Sequence, residues 1–130
     1  MKKNTQEMIL LYNFNDEERI STLKSLLETM KIKVIVVDKT EHYQKVGYFF
    51  GLNGFGKSQP NEDDFTFAYE LMMFHNFSKA RLDNVLKMMR EQKVEVPICK
   101  AVVTTFNRFW SLARVCGALE KEHLAMKQDN

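Results

Sequence analysis

Cysteine is scarce in this sequence. The two present, Cys99 and Cys116, lie inside apolar segments without Cys-x-x-Cys spacing. That excludes a disulfide scaffold and predicts reduced core residues of a cytoplasmic protein. His42, His75 and His123 show no ligand spacing such as His-x-x-x-His, so no metal site is expected. Long apolar runs are also missing. After Met1-Lys2-Lys3 only Met8–Tyr12 follows before the polar Asn13, too short for a secretory signal, and nothing approaches the roughly eighteen apolar residues of a membrane span. Nor is there an excess of one charge: the net charge is +2, with bases interleaved among acids, which disfavours nucleic acid as a partner. At 130 residues and 45% hydrophobic, the chain is expected to form one α/β domain, residues 1–130, with a core that needs no metal or disulfide.

Glycine is rare too, yet most of it is concentrated in Gly51-Leu52-Asn53-Gly54-Phe55-Gly56-Lys57-Ser58, a formal Walker A match. A phosphate loop of that kind needs a helix starting at the Lys-Ser pair, so that backbone N–H groups and the helix dipole point at the anion. Here Gln59-Pro60-Asn61-Glu62-Asp63-Asp64 follows. A proline and three acids break such a helix and repel a phosphate, so the match reads as a decoy, and no nucleotide or other cofactor is expected. Ile35-Val36-Val37-Asp38 imitates a Walker B strand, but in the wrong order along the chain.

What is present is an alternation of two periodicities. Met8–Tyr12 is a continuous apolar run, the pattern of a strand buried on both faces. Asn15 reads as an N-cap with Glu18 three residues on, followed by Ile20, Leu23, Leu26, Leu27 and Met30 at helical spacing. Lys33–Val37 is β-branched and reads as the second strand. Asp38 and Thr40 open a second helix bearing Tyr43, Val46, Phe49 and Phe50, with Gly51 and Gly54 at its end. Lys57–Asp64 is polar and turn-rich, a surface loop. Leu71–Phe74 is a third strand, and Ser78 caps a helix with Leu82, Val85, Leu86 and Met89 on one side. Ile98–Val103 is a fourth strand. Ser111 caps a last helix carrying Leu112, Val115, Cys116 and Leu119, and Lys127–Asn130 is a frayed tail. The reading is α/β: three layers, a mainly parallel four-stranded sheet with helices on both faces, in the flavodoxin-like order 2-1-3-4.

A short repeat accompanies this pattern. Asn13-Phe14-Asn15 ends the first strand and Asn76-Phe77-Ser78 ends the third. In an open parallel sheet, matched exits of two central strands form a switch point, and ligands bind outside the strands' carboxyl ends. The residues expected at that edge are Asn13, Asn15, Asp38, His75, Asn76, Thr104, Thr105 and Asn107. In the connection after the fourth strand, Arg108 and Trp110 add a guanidinium and the single Trp, a combination common on recognition surfaces. The candidate ligand-binding set is therefore Asn13, His75, Asn76, Thr104, Asn107, Arg108 and Trp110. The competing account makes Asn, Ser and Thr there ordinary helix caps, with Trp110 and Phe109 covering the core.

The chain resembles a small bacterial family catalogued as domain of unknown function 3783. The similar pieces are Met8–Phe14, Val46-Gly47-Tyr48-Phe49-Phe50-Gly51-Leu52-Asn53-Gly54-Phe55, Glu70–Phe77 and Lys100–Ser111, so the resemblance runs nearly end to end. Thr104, Asn107 and Trp110 fall on its Thr-x-x-Asn-x-x-Trp pattern. The glycines of the Walker-like stretch fall on a family Gly-rich stretch unrelated to ATP. The resemblance implies no activity, cofactor or catalytic residue.

The leading expectation is thus a non-catalytic module that binds a small molecule or a protein at the carboxyl edge of its sheet. The alternative is an enzyme acting on a phosphorylated or carboxylated metabolite at the same edge, with His75 or Asp38 as acid–base and Lys57 or Arg108 holding the anion. A third account, nucleic-acid binding, requires Lys100, Arg108 and Arg114 to cluster on one face. The aromatic stretches Tyr48-Phe49-Phe50 and Phe65-Thr66-Phe67 exceed the needs of one small core and predict a homo-oligomer.

Overall fold

The structure, a computed structural model, describes residues 5–61 and 64–128. The strands are β1 (Met8–Tyr12), β2 (Lys33–Val37), β3 (Leu71–His75) and β4 (Cys99–Val102). The helices are α1 (Glu17–Thr29), the single turn α2 (Val46–Phe49), α3 (Lys79–Glu91) and α4 (Leu112–Gln128). Short 3-10 turns at Lys39–Glu41 and Asn107–Phe109 follow β2 and β4. Asp16, one residue beyond the expected Asn15, caps α1 by accepting from the N–H groups of Glu18 and Arg19. Ser78 caps α3 and the Ser111 hydroxyl takes the Arg114 N–H, as their positions before apolar helical stripes required. Of the tail expected to fray, Lys127 and Gln128 belong to α4, and residues 129–130 lie outside the described residues, as do Glu62 and Asp63 of the acidic loop.

Alternate side chains of the central strands feed two cores. Met8, Leu10, Tyr12, Leu71 and Met73 pack on one face with Val46, Phe50, Leu112, Val115 and Cys116 from α2, its C-cap and α4. Ile9, Leu11, Met72 and Phe74 pack on the other with Leu23 and Leu27 of α1 and Val85 and Met89 of α3. Burial on both faces explains why β1 and β3 are unbroken apolar runs, and each fully buried aliphatic side chain contributes about 1.5–3 kcal/mol.

The sheet order is β2-β1-β3-β4, the order expected. The direction differs: β1 pairs with β2 in parallel and β3 with β4 in parallel, but β1 and β3 run antiparallel. The sheet is mixed, not mainly parallel. The cause lies in the link between β2 and β3. Where one continuous helix was expected from Asp38 onward, the chain makes a 3-10 turn, then only one turn of α2, which Gly51 ends at φ 66°. No helix starts at Ser58, and the described residues between it and β3 form neither helix nor strand. A link without a crossover helix brings β3 in from the edge where β2 left, so the central pair is antiparallel.

This reversal relates the halves by an approximate two-fold axis. β1-α1-β2-α2 matches β3-α3-β4-α4, and the middle residues of the central strands, Leu10 and Met73, pair directly. Asn13 and Asn76 both adopt left-handed backbone, at φ 68° and 69°, as do Lys31 and Lys93 after α1 and α3, at 61° and 58°. The starts of α2 and α4 meet near the axis through reciprocal bonds, Val46 N–H to the Trp110 carbonyl and Leu112 N–H to that of Gln44, both 2.9 Å. Arg19 of α1 pairs with Glu70 just before β3, and Arg81 of α3 pairs with Glu7 just before β1, so each half ties its first helix to the other half.

Candidate functional site

Because β1 and β3 are antiparallel, the strand carboxyl ends divide between two opposite edges. Tyr12, Asn13 and Asp38 leave β1 and β2 at the first edge, and His75, Asn76 and the Thr104–Trp110 turn leave β3 and β4 at the second. The matched Asn-Phe exits are therefore related across the axis and form no shared switch point. Of the candidate residues, the structure groups His75, Asn76, Thr104, Asn107, Arg108 and Trp110 at one edge and sets Asn13 at the other.

The two asparagines have the same task. Asn13 Nδ2 donates to the Phe67 and Tyr69 carbonyls at 2.9 and 2.8 Å, and Asn76 Nδ2 donates to the Gln6 carbonyl at 2.8 Å. Each amide clamps the segment that leads into the other half's central strand. Asparagine suits the position because it tolerates the left-handed region while its short amide finds a local acceptor.

The turn after β4 is held by its own side chains. Asn107 Oδ1 accepts from Thr104 N–H at 2.8 Å, and its Nδ2 donates to the Val102 carbonyl at 2.9 Å. Thr104 Oγ1 accepts from the N–H groups of Phe106 and Asn107, and Arg108 Nε donates to the Thr104 carbonyl at 3.0 Å. Asp38 builds the matching turn after β2, its Oδ1 accepting from Thr40 N–H and hydroxyl; these bonds hold its carboxyl below the usual value. Trp110 is half-buried against the core with the Arg114 guanidinium 4.1 Å above its ring. His75 is half-buried 5.3 Å from the Phe50 ring, and burial, then the Arg108 charge, lowers its pKa.

What this turn offers to the outside is aromatic. Phe106 is 77% exposed and Phe109 61% exposed, and Phe109 lies 5.1 Å from the half-buried Phe55 ring. Phe55 belongs to the Walker-like stretch, whose Ser58 N–H donates to Gln44 Oε1 at 2.8 Å. Gln44, fully buried, thus anchors this loop beside the turn. Sequence reasoning missed Gln44, Phe55 and Phe106. A buried Gln leaves no pattern, and an exposed Phe looks like any core Phe; only the density of aromatic residues hinted at them.

Among the described residues no group of three or more His, Cys, Asp or Glu stands close enough to hold a metal, and no helix is long and apolar enough to cross a membrane. Lys100 donates to the Pro97 carbonyl near the start of β4, while Arg108 and Arg114 serve the turn and Trp110. The three bases named for nucleic-acid binding are thus engaged separately.

The architecture defines an α/β protein of two β-α-β-α units sharing one mixed sheet. The family described as "Domain of unknown function (DUF3783)" matches residues 70–126. That span runs from the start of β3 through most of α4, so it is the second unit, and it bears out the resemblance for that part of the chain. No curated protein and no solved structure matches the chain.

Proposed function

We propose that this chain is a non-catalytic, cytoplasmic protein-binding module whose recognition surface is the turn after β4. The observation that carries the reading is the pair of exposed rings, Phe106 and Phe109, on a turn fixed by Thr104 and Asn107. A backbone held in place before binding loses little conformational entropy on association, and aromatic and arginine side chains dominate interface energetics. Thr104 and Asn107 use their polar atoms within the turn and Arg108 uses its Nε there, so they serve as its frame, with Trp110 packed on the core behind it. Of the acid–base candidates of the enzyme alternative, Asp38 stands at the opposite edge and His75 is half-buried against Phe50, while Arg108 Nε is spent on the Thr104 carbonyl, so the binding reading has the stronger support.

The test is a phage-displayed peptide selection on the full chain, repeated on Phe106→Ala and Phe109→Ala. Both side chains are exposed, and circular dichroism verifies that both variants fold. The expected result is a family of peptides whose affinity falls at least about tenfold, ~1.4 kcal/mol, in each variant. Peptides that ignore both substitutions refute the reading. Turnover of a phosphorylated or carboxylated metabolite that disappears in His75→Ala replaces it with the enzyme.

A further inference from the structure

The two units share a backbone plan but carry opposite charge. Where α1 begins with Asp16, Glu17 and Glu18, α3 begins with Ser78, Lys79 and Ala80. Where the turn after β2 holds Asp38, Lys39 and Glu41 and is net negative, the turn after β4 holds Thr104, Asn107 and Arg108 and is net positive. Acids suit the positive end of a helix dipole and bases oppose it, so Lys79 in the first turn of α3 works against helix stability. The first edge is thus acidic and the second basic.

Shape follows the same division. The basic edge carries a knob, the exposed Phe106, flanked by Arg108. The acidic edge carries a cleft of about 270 Å³ between the β1 exit and the starts of β3 and β4, lined by Asn15, Tyr69, Glu70, Val96, Pro97 and Ile98. Ile98 is 56% exposed on its rim, and the exposed Glu95 stands beside it. A cavity of roughly 150 Å³ already accommodates benzene, so this cleft has room for a phenyl ring.

We infer that the partner of the Phe106 turn is a second copy of this chain, which receives Phe106 in the cleft beside Tyr69 and Ile98 and sets Glu95 against Arg108. The inference rests on the reading of that turn as a binding surface. Knob and cleft lie on opposite edges of one molecule, so the contact is head-to-tail and extends to rings or open chains, unlike a two-fold dimer. Opposite charges at the two edges favour this orientation and penalise like edges meeting, and salt screens the exposed part of the attraction.

The test is sedimentation velocity of the full chain over a wide concentration range at low and high salt. The expected result is a mass that grows with concentration and shrinks with salt. Phe106→Ala removes the knob and Ile98→Arg blocks the cleft; both positions are exposed, and circular dichroism verifies folding. Each variant alone sediments as a monomer. An equimolar mixture forms a species of twice the single-chain mass and stops there, because only one intact knob and one intact cleft remain across the two chains. Arg108→Glu weakens assembly, and adding Glu95→Arg restores it. A wild-type chain that stays monomeric throughout, or a mixture that stays monomeric, overturns the inference. So does a monomeric chain whose basic edge instead retains a labelled oligonucleotide in a Phe106-dependent way. If the chain is monomeric yet Phe106-dependent peptides are selected, the inference fails alone; if Phe106 affects neither assay, the reading of the turn falls as well.

Discussion

Replacing Asn13 separates a structural amide from a ligand-binding one. Its Nδ2 holds two carbonyls, those of Phe67 and Tyr69, and its backbone sits at φ 68°. Each hydrogen bond contributes about 1 kcal/mol net, and a left-handed residue with a Cβ and no local hydrogen bond adds about 1 kcal/mol of strain. Asn13→Ala is therefore expected to destabilise the fold by about 3 kcal/mol, and Asn13→Gly, which escapes the strain, by about 2 kcal/mol. Asn13→Asp is expected to be the most harmful near neutral pH, because it turns a carboxylate toward two carbonyl oxygens. Urea unfolding followed by circular dichroism gives all three values, with an unchanged m-value certifying a two-state comparison. The matched series at Asn76, whose amide reaches the Gln6 carbonyl, is expected to follow the same order. An Asn13→Ala variant within about 0.5 kcal/mol of the parent, the ordinary range for surface substitutions, would refute the clamp and restore Asn13 as a residue kept for a ligand.

Three further outcomes follow from the packing. A Cβ on Gly47 would stand 2.6 Å from Cγ of Phe55, the root of its ring, so ring rotation alone brings no relief. Gly47→Ala is expected to cost about 1–3 kcal/mol through overpacking, less up to about 1 kcal/mol of helix propensity. In a Phe55→Ala background the same change becomes neutral or stabilising; equal effects in both backgrounds, measured in a double-mutant cycle, would contradict the contact. Burial and then the Arg108 charge hold the His75 pKa below its ordinary value of 6.5. The unfolded chain then binds the proton first as pH falls, so stability is full above about pH 6.5 and declines below it. His75→Gln should flatten that part of the curve in urea titrations from neutral to mildly acidic pH, and an unchanged slope would disprove the assignment. Burial pushes the Cys116 thiol up to about 12 and also raises that of Cys99. Native protein should therefore react with a thiol reagent only as fast as it opens, which labelling kinetics with and without denaturant will show; rapid labelling of the folded chain would argue against buried thiols.

The sequence by itself determined the strands and most helices. Met8–Tyr12 and Leu71–Phe74 read as doubly buried strands because both of their faces lie under helices. Ser78 and Ser111 marked helix starts because capping is local chemistry, satisfied within three residues. The favoured order 2-1-3-4 is the one observed, and Asn13-Phe14 with Asn76-Phe77 already disclosed a repeat. The tertiary structure alone decided strand direction, and with it the site. Whether β3 enters from one edge or the other depends on where α2 stops, and helical spacing through Tyr43, Val46 and Phe50 did not reveal a helix of one turn. Once the central pair is antiparallel, the carboxyl ends separate, and residues expected at one edge stand at two. Exposure was equally hidden: Phe106 on the surface and Phe74 in the core have the same composition, and only the packing of distant segments makes one a knob and the other a filling. Local patterns record what neighbours in the chain require of each other; direction and exposure are set by contacts between segments far apart in sequence.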